Sequence, residues 1–206
     1  MIVIIDYGAG NLTSVKRALD HLGFESEITS DTVKIANAKH IIFPGVGHAR
    51  TAMIDLKKKS LDIILKKAFD QGTPILGICL GAQIILSHSE EGNTECLNLI
   101  EGNTIKFNLS DPSLKVPHMG WNVVQKIQDH YILKDLKEND ELYFVHSFYP
   151  NPKNKNTIFA ISDYEIKFPV AIGYKNLFAT QFHPEKSGRI GLQILKNFTE
   201  WDGSSC

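Results

Sequence analysis

The sequence has few cysteines, no excess of charge and no long apolar run. Three cysteines, Cys79, Cys96 and Cys206, are too few for a dense disulfide framework, and their spacing matches no zinc site. The 22 lysines and arginines are balanced by 23 acidic residues, so the protein has no strong positive electrostatic field that would attract nucleic acid. The sequence contains no run of about 18 apolar residues, which is the length that a membrane-spanning helix needs. These features predict no nucleic-acid, membrane or metal partner.

The apolar content of 43% and charged content of 22% are those of a globular chain rather than a disordered one. The opening apolar run, residues 1–5, stops at Asp6 and lacks the basic flank and length of a signal peptide. We therefore expect a cytoplasmic protein whose cysteines stay reduced.

Strand and helix patterns alternate in the first half of the chain. Short apolar runs predict strands over 1–5, 40–43 and 74–78, and helical periodicity predicts helices over 12–22, 49–70 and 80–86. The second half predicts strands near 121–127, 141–145, 157–161, 169–174 and 177–182, a solvated loop over 151–156, and a helix near 189–200. The alternation predicts one α/β domain spanning 1–206 with a parallel sheet.

Gly77-Ile-Cys79-Leu-Gly81 has the form G-x-C-x-G between an apolar strand and a helix. That pattern is typical of a nucleophile elbow, in which glycines permit a sharp turn that presents the central side chain. The start of a helix favours the thiolate, which is the reactive form of cysteine. The alternative is a small buried residue flanked by packing glycines. Cys96 and Cys206 lack this setting and are predicted to be incidental.

A cysteine nucleophile needs a base and a group that orients the base. His183-Pro-Glu185 offers both just after a predicted strand, where open α/β sheets place their sites. The same residues would also suit an ordinary surface loop or a pair of metal ligands. His118 and His146 are rival bases, and spacing alone does not choose among the three histidines.

Two segments, Gly77-Ile-Cys-Leu-Gly-Ala-Gln83 and Gln181-Phe-His-Pro-Glu-Lys-Ser187, resemble the class I (triad) glutamine amidotransferases. The run Val116-Pro-His-Met-Gly-Trp-Asn122 is similar to the glutaminase subunits of imidazole glycerol phosphate synthases within that family. The resemblance implies a three-layer, flavodoxin-like fold with a central, mostly parallel sheet. It also implies no cofactor.

The resemblance assigns roles residue by residue. It implies Cys79 as nucleophile, His183 as general base and acid, and Glu185 as the partner that orients His183. It implies that Pro44 to Gly47 form the strand that binds the oxyanion. Contacts to glutamine or its oxyanion are implied for Gly45, Val46 and Gly47 of that strand and for Leu80, Gln83, His146, Ser147 and Phe148. Positions facing a synthase partner are Asn11, Trp121, Tyr143 and Lys186.

The implied activity is hydrolysis of glutamine to glutamate and ammonia. The ammonia would pass to a TIM-barrel cyclase subunit in a heterodimer, forming imidazole glycerol phosphate and aminoimidazole carboxamide ribonucleotide in histidine biosynthesis. A related glutaminase that supplies ammonia for amidination of a bacterial surface sugar is an alternative. A non-catalytic thiol sensor on the same fold is another.

Overall fold

The computed structural model describes residues 1–8 and 10–204, so Cys206 lies outside the described residues. The helices are α1 (Leu12–His21), α2 (Thr32–Ala36), α3 (Ala49–Lys58), α4 (Leu61–Asp70), α5 (Leu80–Ile84) and α6 (Gly188–Glu200). The strands are β1 (Ile2–Ile5), β2 (Ser26–Thr29), β3 (His40–Gly45), β4 (Ile75–Cys79), β5 (His88–Ser89), β6 (Thr94–Glu95), β7 (Gly102–Lys106), β8 (His118–Val123), β9 (Gln125–Lys126), β10 (Glu141–His146), β11 (Phe148–Pro152), β12 (Ile158–Tyr164), β13 (Ile166–Tyr174) and β14 (Leu177–Thr180). Short 3₁₀ turns cover Tyr131–Leu133, Lys155–Thr157 and Pro184–Lys186.

The central sheet has the strand order β2-β1-β3-β4-β14-β13-β12-β9. The strands from β2 to β14 run parallel, and β13, β12 and β9 continue the sheet in antiparallel fashion. The sheet is therefore mixed, and it confirms the predicted α/β domain. Because β3, β4 and β14 are adjacent and parallel, their carboxyl ends meet at one edge.

Two hydrophobic clusters cover the two faces of this sheet. Along β1, Ile2 and Ile4 join the cluster beneath α1 and α6, whereas Val3 and Ile5 join the cluster beneath α3 and α4. The alternation follows from the two-residue repeat of a strand, and it explains why β1 is apolar throughout.

The predicted helix over 49–70 is wrong as a single element, because α3 and α4 are separate helices. Ser60 takes a left-handed conformation with φ of 57° between them. Leu56 and Leu61 are both fully buried. On an unbroken helix, five residues turn the side chain by about 140°, so the break lets both leucines face the core.

Two further predictions differ from the structure. The predicted loop over 151–156 begins inside β11, which contains Pro150 and Pro152 and forms the edge of a smaller sheet with β7. An edge strand tolerates proline because one side of its backbone needs no partner. The strand predicted over 121–127 is divided at Val124 into β8 and β9, which pair in different sheets.

Among the described residues, no helix combines the length and the apolar character needed to cross a bilayer.

Candidate active site

Cys79 is the last residue of β4 and adopts φ of 54° and ψ of −106°, a backbone conformation that residues other than glycine rarely take. The flanking glycines make this turn possible. A Cβ atom at Gly81 would collide with the carbonyl oxygen of Phe43, and one at Gly77 would lie 3.1 Å from the Cβ of Ala179. Strained backbone of this kind is concentrated at functional sites. The G-x-C-x-G segment thus forms the sharp turn that its pattern predicts.

His183 and Glu185 form a buried pair beyond the end of β14. The Nδ1 atom of His183 lies 2.7 Å from Oε1 of Glu185, and both side chains are almost completely shielded from solvent. The backbone of His183 is held at both ends, because its N–H donates to Tyr143 and its carbonyl accepts from the Ser187 hydroxyl. The surface-loop alternative is therefore wrong for these side chains.

His183 and Cys79 line the same pocket. The Nε2 atom of His183 makes no hydrogen bond of ordinary geometry with any residue in 1–8 and 10–204. Burial by itself lowers the pKa of His183, but the hydrogen bond to Glu185 and the electrostatic effects of Cys79 and Glu185 outweigh it and raise the pKa to about 10. The imidazole is therefore protonated at neutral pH.

The two rival histidines already use both ring nitrogens. Nδ1 of His146 lies 2.8 Å from the Phe148 carbonyl, and its Nε2 lies 3.0 Å from Nδ1 of His118. Nε2 of His118 lies 3.3 Å from the side-chain amide of Asn122. Since a carbonyl can only accept, His146 donates to Phe148, His118 donates to His146, and Asn122 donates to His118. This series of hydrogen bonds requires the rings of His118 and His146 to be neutral. Among the three histidines, within the part of the chain that the structure describes, only His183 keeps a ring nitrogen free for proton transfer.

Burial keeps three histidines neutral, and this predicts a fold that weakens in acid. Desolvation lowers the pKa of His118 and of His130 to about 4 and, as the largest effect, that of His146 to about 3. The unfolded chain takes up these protons first, so stability falls as pH decreases from about 6.5 toward 4. Each proton contributes about 1.4 kcal/mol per pH unit to that slope.

Urea unfolding measured between pH 7 and pH 4.5 checks this expectation. His130→Asn is the informative variant, because asparagine still accepts from the Ile132 N–H but cannot be protonated. The slope of its unfolding free energy against pH should be smaller by the contribution of one proton, even if its stability at pH 7 is lower. An unchanged slope would mean that His130 is not kept neutral by the fold.

The pocket beside Cys79 has a volume of about 330 Å³. It is lined by Val46, Gly47, Cys79, Leu80, Gln83, Glu91, Pro117, Val145, His146, Ser147, Phe148 and His183. Most of the residues predicted to contact substrate are in this lining. Gly45 is not, and it lies instead at the end of β3, paired in register with Cys79. The structure thus gathers segments far apart in sequence around the sulfur.

Gln83 is less free than the sequence suggests. Its amide nitrogen donates to the Phe148 carbonyl at 2.9 Å and to Oε1 of Gln181 at 3.0 Å. Both amide hydrogens are therefore committed, and Oε1 of Gln83 is the atom that remains for a ligand.

Sequence reasoning missed Glu91 and Gln181. Glu91 is the acidic side chain of the pocket lining apart from the triad, and it accepts a hydrogen bond of 2.7 Å from the N–H of Ala49 at the start of α3. Nothing in the polar loop around Glu91 singles it out. Gln181 carries a signal, since it stands two residues before His183 and alternate residues of an extended segment point the same way.

The residues predicted to face a partner lie next to this pocket. Asn11 donates from its side-chain amide to Oε1 of Glu185 at 2.5 Å. The rings of Trp121 and Tyr143 are 6.1 Å apart, and Nζ of Lys186 lies 5.8 Å from the Tyr143 ring. Met119 and Trp121 are each more than half exposed. A site with an exposed apolar rim is typical of a surface that binds another protein.

Comparison with known proteins agrees with this geometry. Residues 3–201 match the family described as Glutamine amidotransferase class-I. The chain is 47% identical over 206 residues to "Imidazole glycerol phosphate synthase subunit HisH" of Maridesulfovibrio salexigens, covering 98% of this chain and 97% of the relative. It is 44% identical to the protein of the same name from Neisseria meningitidis serogroup B, covering 96% of this chain and 98% of the relative.

Solved structures have the same fold. A crystal structure of a glutamine amidotransferase superposes with a TM-score of 0.76 at 16% identity, covering 97% of this chain and 98% of the other. The structure of PurLQS from Thermotoga maritima gives a TM-score of 0.74 at 17% identity, covering 97% of each chain. At these identities, the likeness concerns the fold alone.

Proposed function

Because the chain belongs to the class-I glutamine amidotransferase family, we propose that residues 1–206 form one glutaminase domain that hydrolyses glutamine through Cys79, His183 and Glu185. The observation that carries the proposal is the strained Cys79 in one pocket with an imidazole that a buried carboxylate orients. This is the arrangement that acyl transfer from an amide requires.

In the first half-reaction, the Cys79 thiolate attacks the side-chain amide carbon of glutamine, and negative charge moves to the carbonyl oxygen. Backbone N–H groups of Leu80 and of residues 45–47, which follow Pro44 at the end of β3, are suited to stabilise that oxyanion, each by a few kcal/mol. His183 gives its proton to the amide nitrogen, the C–N bond breaks, and ammonia leaves. A γ-glutamyl thioester remains on Cys79.

In the second half-reaction, a water molecule replaces the sulfur. Acylation removes the negative charge from Cys79, which is one of the groups that raises the pKa of His183. The imidazole then accepts a proton from water more readily at neutral pH. Hydroxide attack on the thioester and departure of the sulfur release glutamate, and the proton taken from water restores the imidazolium.

The pocket carries one carboxylate outside the triad, and we propose that it binds the α-ammonium group of glutamine. Glu91→Gln keeps an acceptor for the N–H of Ala49 but removes the charge. We expect KM for glutamine to rise by about 10-fold or more, with kcat changed only a few-fold, as for loss of one hydrogen bond to a charged group. Steady-state glutamate formation measures both constants.

The neighbouring Glu90→Gln is the matched control. Glu90 accepts from the N–H of Lys106 and does not line the pocket, so KM should stay at the wild-type value. An unchanged KM in Glu91→Gln, or an equal rise in both variants, would reject the assignment of Glu91.

The proposed recipient of the ammonia is a TIM-barrel cyclase subunit bound as a heterodimer, with imidazole glycerol phosphate and aminoimidazole carboxamide ribonucleotide as products in histidine biosynthesis. The names of the relatives support this acceptor. The exposed Met119 and Trp121 and the Tyr143–Lys186 contact support docking beside the pocket. An ammonia-release assay tests the whole proposal, because turnover should be slow alone and rise when cyclase and its nucleotide are added together.

Trp121→Ala tests the docking surface. A large aromatic at the centre of an interface contributes about 2 kcal/mol or more, so Kd for the cyclase should rise by about 30-fold. Tyr174→Ala is the control, because Tyr174 is a half-exposed aromatic at the opposite end of the sheet from Cys79. Calorimetric titration measures both values, and equal affinities for the two variants would exclude this surface.

A further inference from the structure

Two buried glutamines connect the substrate pocket to the nucleophile. Gln181 is fully shielded from solvent, and its Nε2 atom lies 3.7 Å from Sγ of Cys79. Its Oε1 atom lies 3.0 Å from Nε2 of Gln83, which in turn lies 2.9 Å from the Phe148 carbonyl. The mechanism above uses neither of these contacts to Gln181.

The hydrogen-bond chain fixes which end of the Gln181 amide faces the sulfur. The Phe148 carbonyl can only accept, so the atom of Gln83 beside it must be the amide nitrogen. The same nitrogen faces Gln181, and therefore the facing atom of Gln181 is its oxygen. The NH₂ group of Gln181 is left pointing at Cys79, so the donor to sulfur follows from connectivity.

The sulfur has a second polar neighbour with the opposite preference. The Val145 carbonyl lies 3.9 Å from Sγ and can accept only from a protonated thiol. Gln181 can donate to the thiolate as well, and hydrogen bonds to a charged acceptor are the stronger kind. The surroundings therefore offer a donor to the reactive form of the cysteine in a buried site where an unpaired charge is costly.

We propose that Gln181 is a catalytic residue whose amide N–H stabilises the Cys79 thiolate, and that Gln83 holds that amide in orientation. The inference rests on the proposed function, since a thiolate nucleophile is what the donor serves. It adds a charge-stabilising contact that the triad does not supply.

The pH dependence of alkylation of Cys79 by iodoacetamide tests this proposal without glutamine or a partner. Gln181→Met has similar length and no N–H donor. We expect the pH midpoint of alkylation to rise by about one unit, with labelling about 10-fold slower below the midpoint. Peptide mass spectrometry isolates the Cys79 signal, and burial, the largest effect, raises the pKa of Cys96 to about 12, which keeps that thiol slow.

Thr180→Val is the matched control. Thr180 is also fully buried, one position away in the chain, and its hydroxyl donates to the Phe182 carbonyl instead of to the sulfur. Its loss should lower stability and leave the alkylation midpoint at the wild-type value. A midpoint unchanged in Gln181→Met, or moved equally by Thr180→Val, overturns the proposal.

Gln181→Glu covers the case in which the methionine variant does not fold. Glutamate has the same shape but presents a carboxylate in place of the N–H donor, so the midpoint should rise further. A midpoint that does not rise overturns the proposal. Failure of the proposed function is a separate result, because it would appear as wild-type protein that releases no ammonia while its alkylation profile still depends on Gln181.

Discussion

Cys79→Ala is expected to abolish glutamine hydrolysis and to leave the fold intact. Without the sulfur no thioester forms, and the rate should fall by about 10⁴-fold or more, as when a triad nucleophile is removed. The side chain is small and lies at the pocket surface, so little packing is lost. Ammonia release in the presence of the cyclase measures the rate, and thermal unfolding monitors the fold.

Cys96→Ala is the control for loss of a thiol. Cys96 is partly buried and does not line the pocket, so its variant should keep wild-type turnover. Turnover of Cys79→Ala within about 10-fold of wild type would remove Cys79 from the chemistry.

His183→Ala is expected to lower kcat by about 10²- to 10⁴-fold, the usual contribution of a general acid and base. The loss should fall on kcat rather than on KM, because the proposed role of His183 is proton transfer and the proposed glutamine contacts of the remaining lining are kept. His118→Asn is the comparison among the rival histidines. The ring of His118 uses both nitrogens in structural hydrogen bonds, so the folded His118→Asn variant should lose less than 10-fold in kcat. A larger loss of kcat in His118→Asn than in His183→Ala would mean that His183 is not the general base.

The local motifs of this site could be predicted from the sequence. The turn at Cys79 follows from glycines two residues away on either side. The spacing of His183 and Glu185 around one proline allowed their pairing, and the family resemblance selected it over a surface loop. These features depend on a few consecutive residues. The fold class was equally predictable, since alternating apolar strands and amphipathic helices leave few arrangements.

Features set by tertiary contacts could not be predicted in the same way. Which of three histidines meets Cys79 depends on the hydrogen bonds that occupy the other two, and these join strands far apart in the chain. Glu91 reaches the pocket from a loop without any distinguishing pattern. The break at Ser60 has no glycine or proline to signal it, because the demand to bury leucines on both sides arises only in the packed domain.

The order of strands explains how these separate pieces form one site. The chain returns from the antiparallel half of the sheet to place β14 directly beside β4, so His183 follows one strand end and Cys79 terminates the next. Gly45 ends the strand on the other side of β4. The geometry of the candidate site therefore depends on the register of three adjacent strands, which no single motif encodes.

Covalent labelling with 6-diazo-5-oxo-L-norleucine, a glutamine analogue that alkylates the nucleophile of a glutaminase, shows whether the sulfur of Cys79 attacks glutamine. Mass spectrometry of the digested protein should find one adduct, on the peptide containing Cys79, and excess glutamine should slow its formation. His183→Ala should form it more slowly. An adduct on another residue, or labelling that glutamine does not slow, would contradict the claim that this sulfur attacks the amide of glutamine.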